Sequence, residues 1–146
     1  MLGNRNLAML KPHLHCADTA KLLNDELAQP SLYDDVLRLL ARQNLAVPET
    51  ILSRDVRKSH TFNEDVEALW KIVYQSPEQY WSLYELAEKL VDLEDYTRRW
   101  RFNHVTTVER VIGFKRGTGG TGGVSYLKRM LEVSLFPELW SVRTSL

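Results

Sequence analysis

His104 has the most specific chemical setting in the chain. It sits in the stretch RFNHVTTVERVIGFK, with Trp100 four residues before it and Val108 four after, a spacing that puts all three on one helical face. A neutral imidazole on a dry helix face can be an axial ligand to haem iron, its other nitrogen held by an acceptor. The same spacing also describes a core or half-buried histidine bonded to a carbonyl, and spacing alone favours that plainer role. Trp100 is placed to flank a planar cofactor. Its plainer role, shared with Trp70, Trp81 and Trp140, is that of a core or interface aromatic.

The run Gly117-Thr118-Gly119-Gly120-Thr121-Gly122-Gly123 is the second feature. Its first six residues match G-x-G-x-x-G, but that dinucleotide fingerprint needs a strand before it, and here helical periodicity leads in. No Gly-Lys-Ser/Thr follows, so the phosphate loop of nucleotide hydrolases is excluded as well. Two readings remain: a loop whose amides and threonine hydroxyls close over a polar ligand, or a flexible connection between helices. Lys115 and Arg116 precede it; they can hold a carboxylate or propionate, or neutralise a helix C-terminus. His13, His15 and Cys16 form HLHC, which contains zinc and copper ligand types but has no second cluster at a workable spacing. His60 stands alone. No Ser-His-Asp or Cys-His grouping shows a local signature.

The elements that must position these residues read as helices. Six of the seven glycines fall between Gly113 and Gly123, and none lies between Gly3 and Gly113, whereas a strand-rich chain needs frequent turn residues. The spacing predicts helices over Thr19–Ala28 and from Ser31, an N-cap with acids in the first turn. Residues 44–60 read as a connector with one short helical turn. Thr61 with Glu64 resembles a capping box. Ser76-Pro77-Glu78-Gln79 reads as a further helix start. From there apolar residues recur at helical spacing to the glycines, giving a helix about 55 Å long. A last helix is expected over Val124–Leu135, ended by Pro137. The fold class is all-α: a helical bundle with one long central helix, a Gly-rich loop and a short C-terminal helix.

Composition sets the frame. The 146 residues make about one domain, large enough to bury roughly 70% of the unfolded surface. Lys plus Arg and Asp plus Glu are 19 each, so there is no electrostatic footprint for nucleic acid or an anionic membrane. No apolar run approaches the roughly 18 residues of a membrane span, and residues 1–12 lack a signal peptide's apolar stretch. One cysteine fits a reducing compartment, and the expectation is a cytoplasmic protein.

The segment WRFNHVTTVERVIGFKRGTGGTGGVSYL resembles the C-terminal signature of the tryptophan 2,3-dioxygenase family, and FPELWSVRTSL is similar to that family's C-terminal end. LGNRNLAML, SLYDDVLRLLAR and YWSLYELAEKLVDLED are similar too. The resemblance implies an all-helical, haem b-dependent enzyme, cytoplasmic and homotetrameric, that inserts both atoms of O2 across the indole C2–C3 bond of L-tryptophan to give N-formyl-L-kynurenine. By motif match His104 takes the place of the axial iron ligand; Trp100 and Arg116, by their own positions in the chain, are the candidates to stand beside the cofactor. Thr118 takes the place of the threonine that holds the amino-acid end of the substrate, with Gly117 and Gly119 giving the backbone room. Family members are nearly twice as long, and their N-terminal half supplies the distal histidine, the aromatics over the indole and the carboxylate-clamping arginine. His13 and His15 lie outside the relevant motif. The expectation is one all-helical domain over 1–146, a C-terminal portion lacking the distal half: a fragment, a truncated product or one part of a split enzyme. A rival expectation is a non-catalytic helical haem-binding or oligomerisation module that needs an N-terminal partner.

Overall fold

The structure, a computed structural model, describes residues 15–113 and 123–146. Among these every regular element is helical, in the order α1 (Ala17–Leu27), α2 (Leu32–Arg42), α3 (Glu49–Leu52), α4 (Glu64–Gln75), α5 (Trp81–Ile112), α6 (Val124–Leu131) and α7 (Pro137–Ser141), closed by a 3₁₀ turn at Val142–Thr144. The all-α expectation holds. None of the described helices is long and apolar enough to cross a membrane.

Ser31 caps α2 as its sequence suggests: the backbone N–H of Ser31 donates to Asp34 Oδ2 at 2.7 Å, and the N–H of Asp34 donates back to Ser31 Oγ. Asn44 ends the same helix in the left-handed region (φ 63°), a conformation asparagine tolerates better than most residues. The short turn expected in the 44–60 connector is α3.

The core is built where α2, α4, α7 and the first half of α5 meet. Val36, Leu37 and Leu40 from α2 pack with Val66, Leu69, Trp70 and Val73 from α4, with Leu83, Ala87 and Leu90 from α5, and with Leu135, Phe136, Leu139 and Val142. The apolar residues of α4 and early α5 recur at three- and four-residue intervals, so each helix turns one stripe inward.

Three boundaries differ from expectation. Helix α4 is capped by Asn63, whose Oδ1 accepts from Asp65 N and Val66 N at 2.9 and 3.2 Å, rather than by Thr61. Ser76 closes α4 instead of opening α5: its N–H donates to Ile72 O, and its own carbonyl takes the N–H groups of Gln79 and Tyr80. The long helix therefore starts at Trp81 and runs 32 residues, about 48 Å. Pro137 begins a helix at its first turn rather than ending one, and α6 stops at Leu131. The cause of that early stop lies in α5. Arg101 Nη1 donates to the carbonyls of Met130 and Val133 at 3.1 and 2.7 Å. Glu94 takes the Ser134 hydroxyl and the N–H groups of Leu135 and Phe136 at 2.6, 3.0 and 2.9 Å. Backbone groups that would have continued α6 are bonded to α5 side chains instead.

Candidate functional site

Helix α5 has two different halves. Its first half is core. Beyond Glu94 its inner side is pinned by the bonds just described, by Val105, which is buried, and by the Lys128–Glu109 ion pair at 2.6 Å. These contacts run in opposite order along the two segments, 109 with 128, 101 with 130 and 133, 94 with 134 to 136. α5 and the returning chain thus form an antiparallel hairpin.

Its outer side carries Tyr96, Trp100, His104, Val108 and Val111, which fall along one helical stripe. Tyr96, Trp100 and Val111 are 68%, 65% and 77% exposed. His104 is exposed as well, so the core-histidine reading does not apply. The imidazole stacks on the Trp100 indole, with ring centroids 5.4 Å apart and planes 4° from parallel. Thr106 and Thr107 donate their hydroxyls to Phe102 O and Asn103 O of their own helix.

The hairpin geometry also fixes the flanks of the Gly-rich run. The chain leaves α5 at Gly113 (φ 60°) and returns at Gly123 (φ 63°), both in a region that disfavours side chains. At Gly113 an added Cβ would meet nothing within 4 Å, so backbone conformation, not crowding, calls for glycine. Gly113 lies nine residues past His104, about 14 Å along the axis. Lys115, Arg116, Gly117, Thr118 and Gly119 lie outside the described residues, as does His13. His15 and Cys16 are exposed at the start of α1, and no group of three or more metal-ligating side chains forms among the described residues.

A second polar centre, which local spacing could not reveal, lies between α2, α3 and α7. His60 stacks face to face on Tyr33, centroids 3.7 Å apart, and its Nε2 donates to Leu135 O at 2.8 Å. Tyr33 donates its hydroxyl to Glu138 Oε1 at 2.9 Å, and Asn63 N–H donates to the same oxygen at 3.0 Å. Arg54 Nε donates to Asp34 Oδ1 at 2.6 Å. Burial pushes the Glu138 carboxyl up to about 7, because its hydrogen bonds only partly offset desolvation. Burial likewise lowers His60 and favours its neutral form. Burial also pushes Asp34 up, but the bonds from Arg54 and Ser31 outweigh it and hold Asp34 below the ordinary value. These partners are 20 to 105 residues apart in sequence, and only the fold brings them together.

The sequence profile of tryptophan 2,3-dioxygenases matches residues 67–146, which span most of α4, all of α5 and everything after it. The chain belongs to the tryptophan 2,3-dioxygenase family. It is 73% identical over 146 residues to a tryptophan 2,3-dioxygenase of Bradyrhizobium diazoefficiens, covering all of this chain and 52% of that protein. It is 60% identical over 145 residues to one from Polaromonas naphthalenivorans, covering 99% of this chain and 51% of the relative. Against one from Pseudomonas aeruginosa it is 56% identical, covering 100% and 51%. The chain spans about half the length of the curated relatives it matches. The stripe bearing His104 lies wholly within the part matched by the tryptophan 2,3-dioxygenase profile.

Proposed function

We propose that this chain is the haem-ligating and substrate-closing portion of a haem b-dependent dioxygenase. The reaction inserts O2 across the indole C2–C3 bond of L-tryptophan, cleaving it and giving each carbon one oxygen, to form N-formyl-L-kynurenine. The observation that carries this reading is the exposed His104 imidazole on a bare apolar stripe of α5, in a chain of the tryptophan 2,3-dioxygenase family.

The stripe fits the group. A porphyrin needs an apolar surface and an imidazole that can reach its iron. Here Trp100 and Val111 are bare beside an exposed His104, and the stacking on Trp100 restricts how the imidazole turns. His104 would hold the iron, Trp100 would flank the ring, and Arg116 would steady a propionate by charge-assisted hydrogen bonds. When bound, haem b supplies the dioxygen chemistry that no side chain possesses. The chain's own work is to bind, orient and keep dry. Gly117, Thr118 and Gly119 follow Gly113 at the end of the stripe; Thr118 would hold the amino-acid end of L-tryptophan, and closure of the segment would exclude water. The family reading extends to a cytoplasmic homotetramer.

The test is a haem titration of the purified chain followed by absorption. The expected result is a stoichiometric Soret band that His104→Ala abolishes. A band of the same position and intensity in the variant overturns the assignment of His104.

A further inference from the structure

The exposed half of α5 has a second face besides the His104 stripe. Asp95, Arg99, Phe102, Thr106 and Arg110 recur along it at intervals of four, three, four and four residues, and Phe102 at its middle lies about 160° around the helix from His104. Phe102 is 61% exposed, and Arg99, Thr106 and Arg110 are exposed with it. Beside the Phe102 ring is an open hollow of about 370 Å³, lined by Arg98, Arg99, Phe102 and Asn103. A benzene-sized group fits in about 150 Å³, so the hollow has room for an aromatic ring. The charges on this face are not all satisfied. Arg98 and Arg99 are each paired within α5, with Glu94 and Asp95. Arg110, at the far end, takes part in no ion pair among the described residues.

We propose that a second copy of this chain docks here, α5 antiparallel to α5 about a two-fold axis. Centring the pair between Phe102 and Asn103 sets Arg99 against Thr106, and Asp95 against Arg110, of the second copy; the two-fold then repeats each contact. This register is self-complementary. The unpaired cation at one end of the face meets a carboxylate from the other end, twice, and each Phe102 ring enters the hollow beside its mate. A parallel pair would instead set Asp95 on Asp95 and Arg110 on Arg110 and lose both ion pairs. The arginines near the axis bring no net charge, since Arg98 and Arg99 each carry their own carboxylate. The His104 stripe stays open on the outer side of both copies, so the inference is independent of the haem reading. About four helical turns with one aromatic anchor make a small interface, which fits a weak, reversible dimer.

The experiment is sedimentation equilibrium of the full 146-residue chain from micromolar to millimolar concentration. The expected result is a reversible monomer–dimer equilibrium. Phe102→Asp, a change at an exposed position, should weaken it at least about a hundredfold, since two rings lose their burial. Arg110→Glu should weaken it about tenfold or more, because a like charge then faces Asp95 at both ends. Adding Asp95→Arg to Arg110→Glu should restore most of the dimer, a rescue that a folding defect cannot produce. A monomer at every concentration, a dimer indifferent to Phe102→Asp or to Arg110→Glu, or no recovery in the double charge swap overturns the proposal and leaves this face to a different chain.

Discussion

Glu138 shows how an unremarkable residue becomes a pH-sensitive one. One oxygen accepts from Tyr33 and Asn63 while the other is buried without a partner, and burial lifts the carboxyl to about 7. Between its ordinary value of 4.5 and that value the folded protein holds a proton that the unfolded chain releases. The Glu138 contribution to stability therefore falls as pH rises through this window and levels off above it. Glu138→Gln should remove the slope, leaving the variant more stable than the parent at pH 8 by on the order of 3 kcal/mol, relative to their difference at pH 4. Urea unfolding of both proteins across that range checks it; parallel curves refute it. Within the proposed function, Thr118→Ala should raise the KM for L-tryptophan about tenfold or more with haem binding unchanged, as loss of a charge-assisted hydrogen bond implies. Steady-state kinetics of the assembled enzyme decide it. His104 and Thr118 stand out in the sequence as candidates because local motifs surround them. Glu138 does not, because what makes it unusual comes from residues 75 and 105 positions away.

The same contrast governs whole elements. The Ser31 cap of α2 was legible, since both of its bonds are made within four residues. The end of α6 was not, since Glu94 and Arg101, 29 to 42 residues upstream, compete for its backbone. Ser76 and Pro137 both read as boundary residues, yet Ser76 closes a helix rather than opening one and Pro137 opens one rather than closing it: residue type marks a break, but only the partners decide which helix it serves. Glu94 is the chief pin. Burial pushes its carboxyl up, yet the bonds from Ser134 and the amides of Leu135 and Phe136 outweigh that and hold it below the ordinary value, so it is ionised and paired with Arg98 at 2.8 Å. Glu94→Ala should cost about 3 kcal/mol or more, because two buried amides lose their acceptor together, and Glu94→Gln clearly less, since one acceptor oxygen survives. Chemical denaturation midpoints test the ranking. Gly113→Ala should cost about 1–3 kcal/mol through strain alone, with no loss of packing, and the same measurement would detect it.

At the scale of the molecule, α5 is too long for its own domain. A compact chain of 146 residues has a radius of gyration of about 15 Å, whereas 32 helical residues extend about 48 Å. One half of α5 packs a stripe into the core through Leu83, Ala87 and Leu90, and the other bears Tyr96, Trp100 and Val111 in solvent. Apolar area of that kind belongs against a cofactor or another surface. Under the proposed function, mixing the haem-loaded chain with the N-terminal half of a tryptophan 2,3-dioxygenase should yield L-tryptophan turnover that neither part has alone, read as N-formyl-L-kynurenine formation. Haem binding without turnover in the mixture would favour the non-catalytic module. The α5 hairpin adds a consequence for how such proteins diversify. Its described cross-links from 94, 101 and 109 lie before Gly113, and their partners in the returning segment follow Gly123. Under the proposed function Gly113 and Gly123 are fixed sockets, so exchanging the residues between them for a new substrate would leave the rungs that hold the scaffold together as they are.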